Sequence, residues 1–92
     1  MSLNWELIDE AVNDVVSNFK SITGVEGWEV IDIHGCLKQD VVNKTHPAVR
    51  EFIEKNYKEL AGDRTLYDEF LYRLDDVIMD TFCDEAFLRS NK

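Results

Sequence analysis

Two cysteines, two histidines and a dense set of carboxylates are the residues of this chain with the chemistry to react or to bind. His34, Cys36, His46 and Cys83 together have the donor types of a zinc site, which needs four N or S ligands at about 2.0–2.3 Å. The spacing argues against one. His34-x-Cys36 is too common to define a site, and the chain holds neither a CxxC nor an HExxH sequence. A nucleophile pair of Cys36 with His46 needs a third group to orient the imidazole and a turn that exposes the thiol, and no glycine-rich elbow supplies the turn. Gly24-Val25-Glu26-Gly27 lacks the glycine count and the following lysine of a phosphate-binding loop. No run alternates Asp or Asn around a central Gly as a calcium loop does. Asp75 and Asp76 are neighbours, about 100° apart on a helix, which is poor geometry for acid–base work. The expectation is no catalytic residue, no metal and no cofactor, with an enzymatic or metal role at Cys36 and His46 kept as a minor alternative.

The carboxylates carry more information. From Asp68 to Glu85 there are seven acids and one base, Arg73. Projected on a helix, Asp68, Asp75, Asp76, Asp80 and Asp84 fall away from an apolar stripe of Leu66, Phe70, Leu71, Leu74, Val77, Ile78 and Phe82. Tyr72, Met79, Cys83 and Ala86 project among the acids. Like charges this close repel and lower helix stability. Apolar groups within a negative rim give a partner something to anchor on. The candidate partner-binding set is Tyr72, Asp75, Asp76, Met79, Asp80, Cys83 and Asp84. The alternative is a solvated acidic face with Met79 and Cys83 packed beneath a neighbouring helix.

The elements that must position these residues read as helices. Leu7, Ile8, Ala11, Val12, Val15, Val16, Phe19 and Ile22 share one face of a helix over Leu3 to Ile22. Ser2 or Asn4 caps its start, and Gly24 is suited to a left-handed residue at its end. A second helix is expected over His46 to Ala61, with Thr45 as N-cap and Pro47 in the first turn. Glu51–Lys55 and Glu54–Lys58 are supporting i,i+4 pairs. A third is expected over Thr65 to Leu88, with Thr65 and Asp68 as its capping box. Between the first two, Trp28 to Ile33 favours an extended segment, paired with Val41-Val42 in a hairpin or with its own copy in a dimer. A short helix over Cys36 to Asn43 is the preferred alternative to the hairpin. Trp28 is expected to cover the end of the bundle, and Trp5 to lie at the edge of the first helix's apolar face. The short Gly62–Arg64 connection favours an antiparallel pairing of the last two helices. The fold class is therefore mainly α, a small bundle of three or four helices with an irregular or short-strand segment between the first two long ones.

Ninety-two residues suffice for one domain, residues 1–92, with a thin stability margin that oligomerisation would widen. The net charge of −9 argues against direct nucleic-acid binding and against anionic membranes, since both need Lys and Arg. No apolar run approaches the roughly 20 residues that span a bilayer. Glu6, Asp9 and Glu10 interrupt any secretory core near the start. The two well-separated cysteines fit free thiols in a reducing, cytoplasmic setting. No motif resembles that of a known family. The function expected is a small non-enzymatic protein-binding module, of inhibitor or adaptor type, presenting an acidic helix face to a basic protein surface. A DNA-mimicking form is a special case. The alternative is a homo-oligomeric structural domain, such as a homodimer, without ligand chemistry.

Overall fold

A computed structural model describes residues 4–32 and 34–90, so the expected roles of Ser2, Leu3 and Ile33 lie outside the described residues. The fold is a small mainly α bundle. Its helices are α1 (Trp5–Ser17), α2 (Phe19–Thr23), α3 (Gln39–Asn56), α4 (Lys58–Ala61) and α5 (Arg64–Ser90), with a 3-10 turn at Gly27–Val30.

The first expected helix forms but breaks in two. Asn4 caps α1, its side-chain oxygen accepting the Leu7 N–H at 3.2 Å. At Asn18 the side-chain amide donates to the Asp14 carbonyl at 2.9 Å and competes with the backbone ladder. The chain turns there, and α2 continues with Phe19 still buried. Gly24 then ends α2 with φ of 76°, the left-handed conformation a glycine adopts without strain.

Among the described residues, the stretch between the long helices contains a single isolated antiparallel bridge, Ile31 with Leu37. Of the expected strand, Trp28 to Val30 lie in the 3-10 turn, and Val41-Val42 lies in α3. The bridge is closed by a tight turn. Asp32 Oδ1 accepts the His34 and Cys36 N–H groups at 2.8 and 3.0 Å, and Gly35 takes φ of 80°. The Cys36 and then the His34 hydrogen bond hold the Asp32 carboxyl below its usual range.

The expected short helix and the expected second helix prove to be one. α3 starts at Gln39 and runs through Pro47. Thr45 is no N-cap. It is buried within the helix, and its hydroxyl donates to the Val42 carbonyl at 3.0 Å. Pro47 lacks the N–H that would bond the Asn43 carbonyl, but both residues are exposed, so water can serve that carbonyl. The helix stops before Ala61, because Tyr57 (φ −138°, ψ 60°) leaves helical geometry and sends its hydroxyl to Asp14 Oδ2 at 2.8 Å. The N-cap of α5 is Asp63, which accepts the Leu66 N–H at 3.2 Å, in place of the expected Thr65 with Asp68.

Contacts across the bundle fix its direction. Asp9 of α1 meets Arg73 and Phe19 of α2 meets Phe82, so α1 and its continuation α2 run parallel to α5. His46 acts on Asp75, and the Arg50 guanidinium lies 4.4 Å over the Tyr67 ring, so α3 runs antiparallel to α5, as expected from the short connection. Arg50 also donates to the Ala61 carbonyl at 3.2 Å and so ties α3, α4 and the start of α5 together.

In α5 the buried stripe repeats every four residues: Leu66, Phe70, Leu74, Ile78, the half-buried Phe82, and Ala86. Each such step turns about 40° beyond a full helical turn, so the stripe winds right-handedly through roughly 200° from end to end. The expectation that Ala86 faces outward fails for this reason. By residue 86 the winding has carried that position inward, where the 3-10 turn covers it. Trp28 is half-buried at this end, with the Arg89 guanidinium 4.7 Å over its ring. Trp5 is half exposed.

Gly27 sits against this end of α5. A Cβ placed there would overlap the Phe82 ring, while the backbone of Gly27 is not in the left-handed region. Gly27→Ala should therefore lower stability by about 1–3 kcal/mol through overpacking alone. In a Phe82→Leu background the same change should cost less than half as much. Urea unfolding of the four proteins checks this, and an equal cost in both backgrounds contradicts it.

The Tyr57–Asp14 bond predicts a pH effect of definite sign. Burial first, then the hydrogen bond to Asp14, push the Tyr57 hydroxyl up to about 12. A raised folded-state value means that the contribution is complete below pH 10 and is lost as pH rises toward 12. Unfolding midpoints measured across that window should fall more steeply for the wild type than for Tyr57→Phe.

Candidate functional site

α5 is 27 residues long, about 40 Å, and sets the long axis of a molecule measuring 46 × 24 × 20 Å. It is unbroken from end to end, with neither Gly nor Pro inside it. The row opposite its buried stripe shares the same four-residue step: Asp68, Tyr72, Asp76, Asp80, Asp84 and Leu88, all exposed. Tyr72 is 72% and Leu88 67% exposed, among the most exposed large apolar side chains.

Four of the candidate residues, Tyr72, Asp76, Asp80 and Asp84, are thus brought together on one ridge. The other three, Asp75, Met79 and Cys83, lie on the adjoining row and tilt toward the body of the protein. Asp75 and Met79 are half-buried there, and Cys83 is exposed with a free thiol. Cys83 borders a cleft of about 200 Å³ with Asp32, His34, Gly35 and Phe87. Asp68 and Leu88 complete the ridge but stand outside the candidate set. Leu88 was legible as the next four-residue step after Asp84. A helix projected at 100° per residue, with one fixed inner face, hides the slow winding that places it there.

The ridge keeps its charge. Among the described residues, no Lys, Arg or His forms an ion pair with Asp68, Asp76, Asp80 or Asp84. Arg73, the one base within the acidic stretch, turns toward α1 and meets Asp9 at 3.3 Å. Arg89 meets Glu85 at 3.2 Å and covers Trp28. Asp76, Asp80 and Asp84 repel one another at i,i+4 spacing, at about 0.2–0.5 kcal/mol per neighbouring pair.

Asp75 differs from its neighbours. Burial pushes its carboxyl above the usual range, His46 on α3 opposes that shift, and Asp76 adds to it. His46 Nε2 is itself buried and has no hydrogen-bond partner among the described residues. Cys36, considered from the sequence as a partner of His46, is an exposed free thiol. Among the described residues, no three His, Cys, Asp or Glu side chains converge as a metal site. A groove of about 420 Å³ over Ile22, Ala48 and Phe52 lies between α2 and α3, away from α5.

Fold and surface together define a mainly α bundle with one long acidic ridge. No helix among the described residues is long and apolar enough to cross a membrane. The chain matches no protein-family model, no curated protein and no solved structure.

The raised Asp75 carboxyl gives a prediction with a definite sign. Its ionised form is disfavoured in the fold, so stability is lost as pH rises through its folded-state value and the penalty is absent below its unfolded one. Asp75→Asn should stabilise the protein at neutral pH by about 0.5 kcal/mol. The gain should shrink toward zero as pH falls below about 4. Thermal unfolding of both proteins from pH 3 to 7 measures it.

Proposed function

We propose that the protein is a small non-enzymatic binding module, of inhibitor or adaptor type, whose α5 ridge docks on a basic protein surface. The observation that carries this reading is the exposed row of Asp68, Asp76, Asp80 and Asp84 with no cation of the described chain paired to it. A fold that needed only solubility gains nothing from aligning these charges, since scattered acids give the same net charge with less repulsion. Long-range attraction brings the partner in. Asp76, Asp80 and Asp84 then accept hydrogen bonds from its Lys or Arg side chains. Tyr72 offers a large exposed ring near one end, and Leu88 an apolar contact at the other. Met79 and Asp75 sit half-buried beside the ridge and act at its edge. Cys36 and Cys83 are both exposed free thiols, which fits a reducing, cytoplasmic setting.

The test is charge reversal on the ridge. With wild-type protein immobilised, a partner captured from host lysate should be lost at least about tenfold on Asp76→Lys/Asp80→Lys, and the wild-type capture should weaken as salt rises. Circular dichroism of the variant should show an intact helical fold, because both side chains point to solvent. Unchanged capture by a folded variant rejects the reading.

A further inference from the structure

We infer that Cys36 and Cys83 are a redox pair, which a low-molecular-weight disulfide converts to an intramolecular disulfide that fastens the 31–37 turn to α5. The reaction needs no partner protein and stands apart from the docking reading.

The two cysteines are far apart in the chain, and the fold brings them to one cleft. Cys83 borders that cleft of about 200 Å³ on the α5 side, and Asp32, His34 and Gly35 border it on the side of the turn. Cys36 follows Gly35 and stands across the turn from Asp32. The Asp32 N–H donates to the Cys36 carbonyl at 2.8 Å, and Asp32 Oδ1 accepts the Cys36 N–H at 3.0 Å. Opposed residues of an antiparallel pair put their side chains on one face, with Cβ atoms about 4.5–5.5 Å apart. In the neighbouring pair, Ile31 and Leu37 pack into the core. Asp32 and Cys36 therefore share the other face, and Asp32 borders the cleft with Cys83.

Exposure points the same way. A free cysteine is among the most often buried residue types, and a buried one is inert. Here both thiols are exposed. A disulfide needs Cα atoms about 4.4–6.8 Å apart. The turn can reach that span, because between Ile31 and Leu37 none of the described side chains is buried. Its movement over the cleft leaves the core in place.

The exchange has two steps. The Cys83 thiolate, its proton given to water, attacks one sulfur of the reagent RSSR and releases RS⁻. The Cys36 thiolate, its proton likewise lost, then attacks Sγ of Cys83 and releases the second RS⁻. The two RS⁻ take up the two protons, so the protein is oxidised by two electrons and the reagent is reduced to two RSH. In a reducing setting the pair rests as thiols. Oxidation closes a long loop and makes the fold harder to unfold.

The experiment holds the full chain, dilute and initially reduced, in mixtures of reduced and oxidised glutathione, quenches it with acid, alkylates it and measures its intact mass. The expected product has lost two hydrogens, takes up no alkylating agent and carries no glutathione. Its digest joins the Cys36 peptide to the Cys83 peptide. At one glutathione poise the ratio of disulfide to dithiol should be at least about tenfold higher in the folded protein than in urea. Cys36→Ser should stop at one glutathione on Cys83. Glutathione retained on both wild-type cysteines, two unreacted thiols, a disulfide between chains, or the same ratio in folded and urea-unfolded protein overturns the inference.

Discussion

The four-residue apolar repeat of α5 is the constraint from which the rest of the structure follows. A stripe at this spacing cannot lie against one straight neighbour, because it turns away by about 40° at each step. α5 packs on α4 near its start, where Arg50 ties the elements together, on α1 where Arg73 meets Asp9, and on the 3-10 turn where Phe82 lies against Gly27. Three partners in succession cover what one could not. The outer row must wind in step with the inner one, so the burial pattern and the line of exposed carboxylates are two sides of one periodicity.

That coupling explains why the acidic residues do not behave alike. Asp76, Asp80 and Asp84 sit two residues out of phase with the buried row, about 200° away from it, and remain solvated. Asp75 sits one residue from Leu74 and from the α3 boundary, where water is partly excluded, and its ionised form is disfavoured. His46 offsets part of this by its position across the interface. Arg73, equally close in sequence, pairs with Asp9 of α1. A single residue step thus separates a carboxylate available to a partner from one whose charge the fold disfavours.

Much of the fold was legible because burial and periodicity coincide in α1. Ile8, Ala11, Val12, Val15 and Phe19 are buried as their spacing requires, and Gly24 ends the segment in the left-handed conformation. The helix boundaries were less so, because side-chain hydrogen bonds decide them. Asn18 and Tyr57 break helices through contacts with Asp14, four residues away in one case and 43 in the other, and propensity registers neither. Pro47 reads as a helix start, yet tertiary burial of Val42 and Thr45 carries α3 back to Gln39 and leaves the proline in mid-helix on the wet side. The candidate site was half legible. Acids, Tyr72 and an unbroken helix were plain, but placing Ala86 outside and Met79 fully on the ridge assumed an inner face of fixed direction.

The irregular stretch between α2 and α3 has a definite mechanical reason. α1 has 13 residues and α5 has 27, so α1 and the short α2 leave the last turns of α5 without a helical neighbour. A further long helix would meet the wound stripe at the wrong angle. A 3-10 turn is narrower and can follow the stripe round, and Gly27 brings its backbone directly onto the Phe82 ring. Trp28 beneath Arg89 closes the end, and the Ile31–Leu37 bridge with the Asp32 turn returns the chain to start α3. Segment 24–38 therefore acts as the last wall of the core. It also packs on the part of α5 between Phe82 and Arg89, whose outer face carries Asp84 and Leu88.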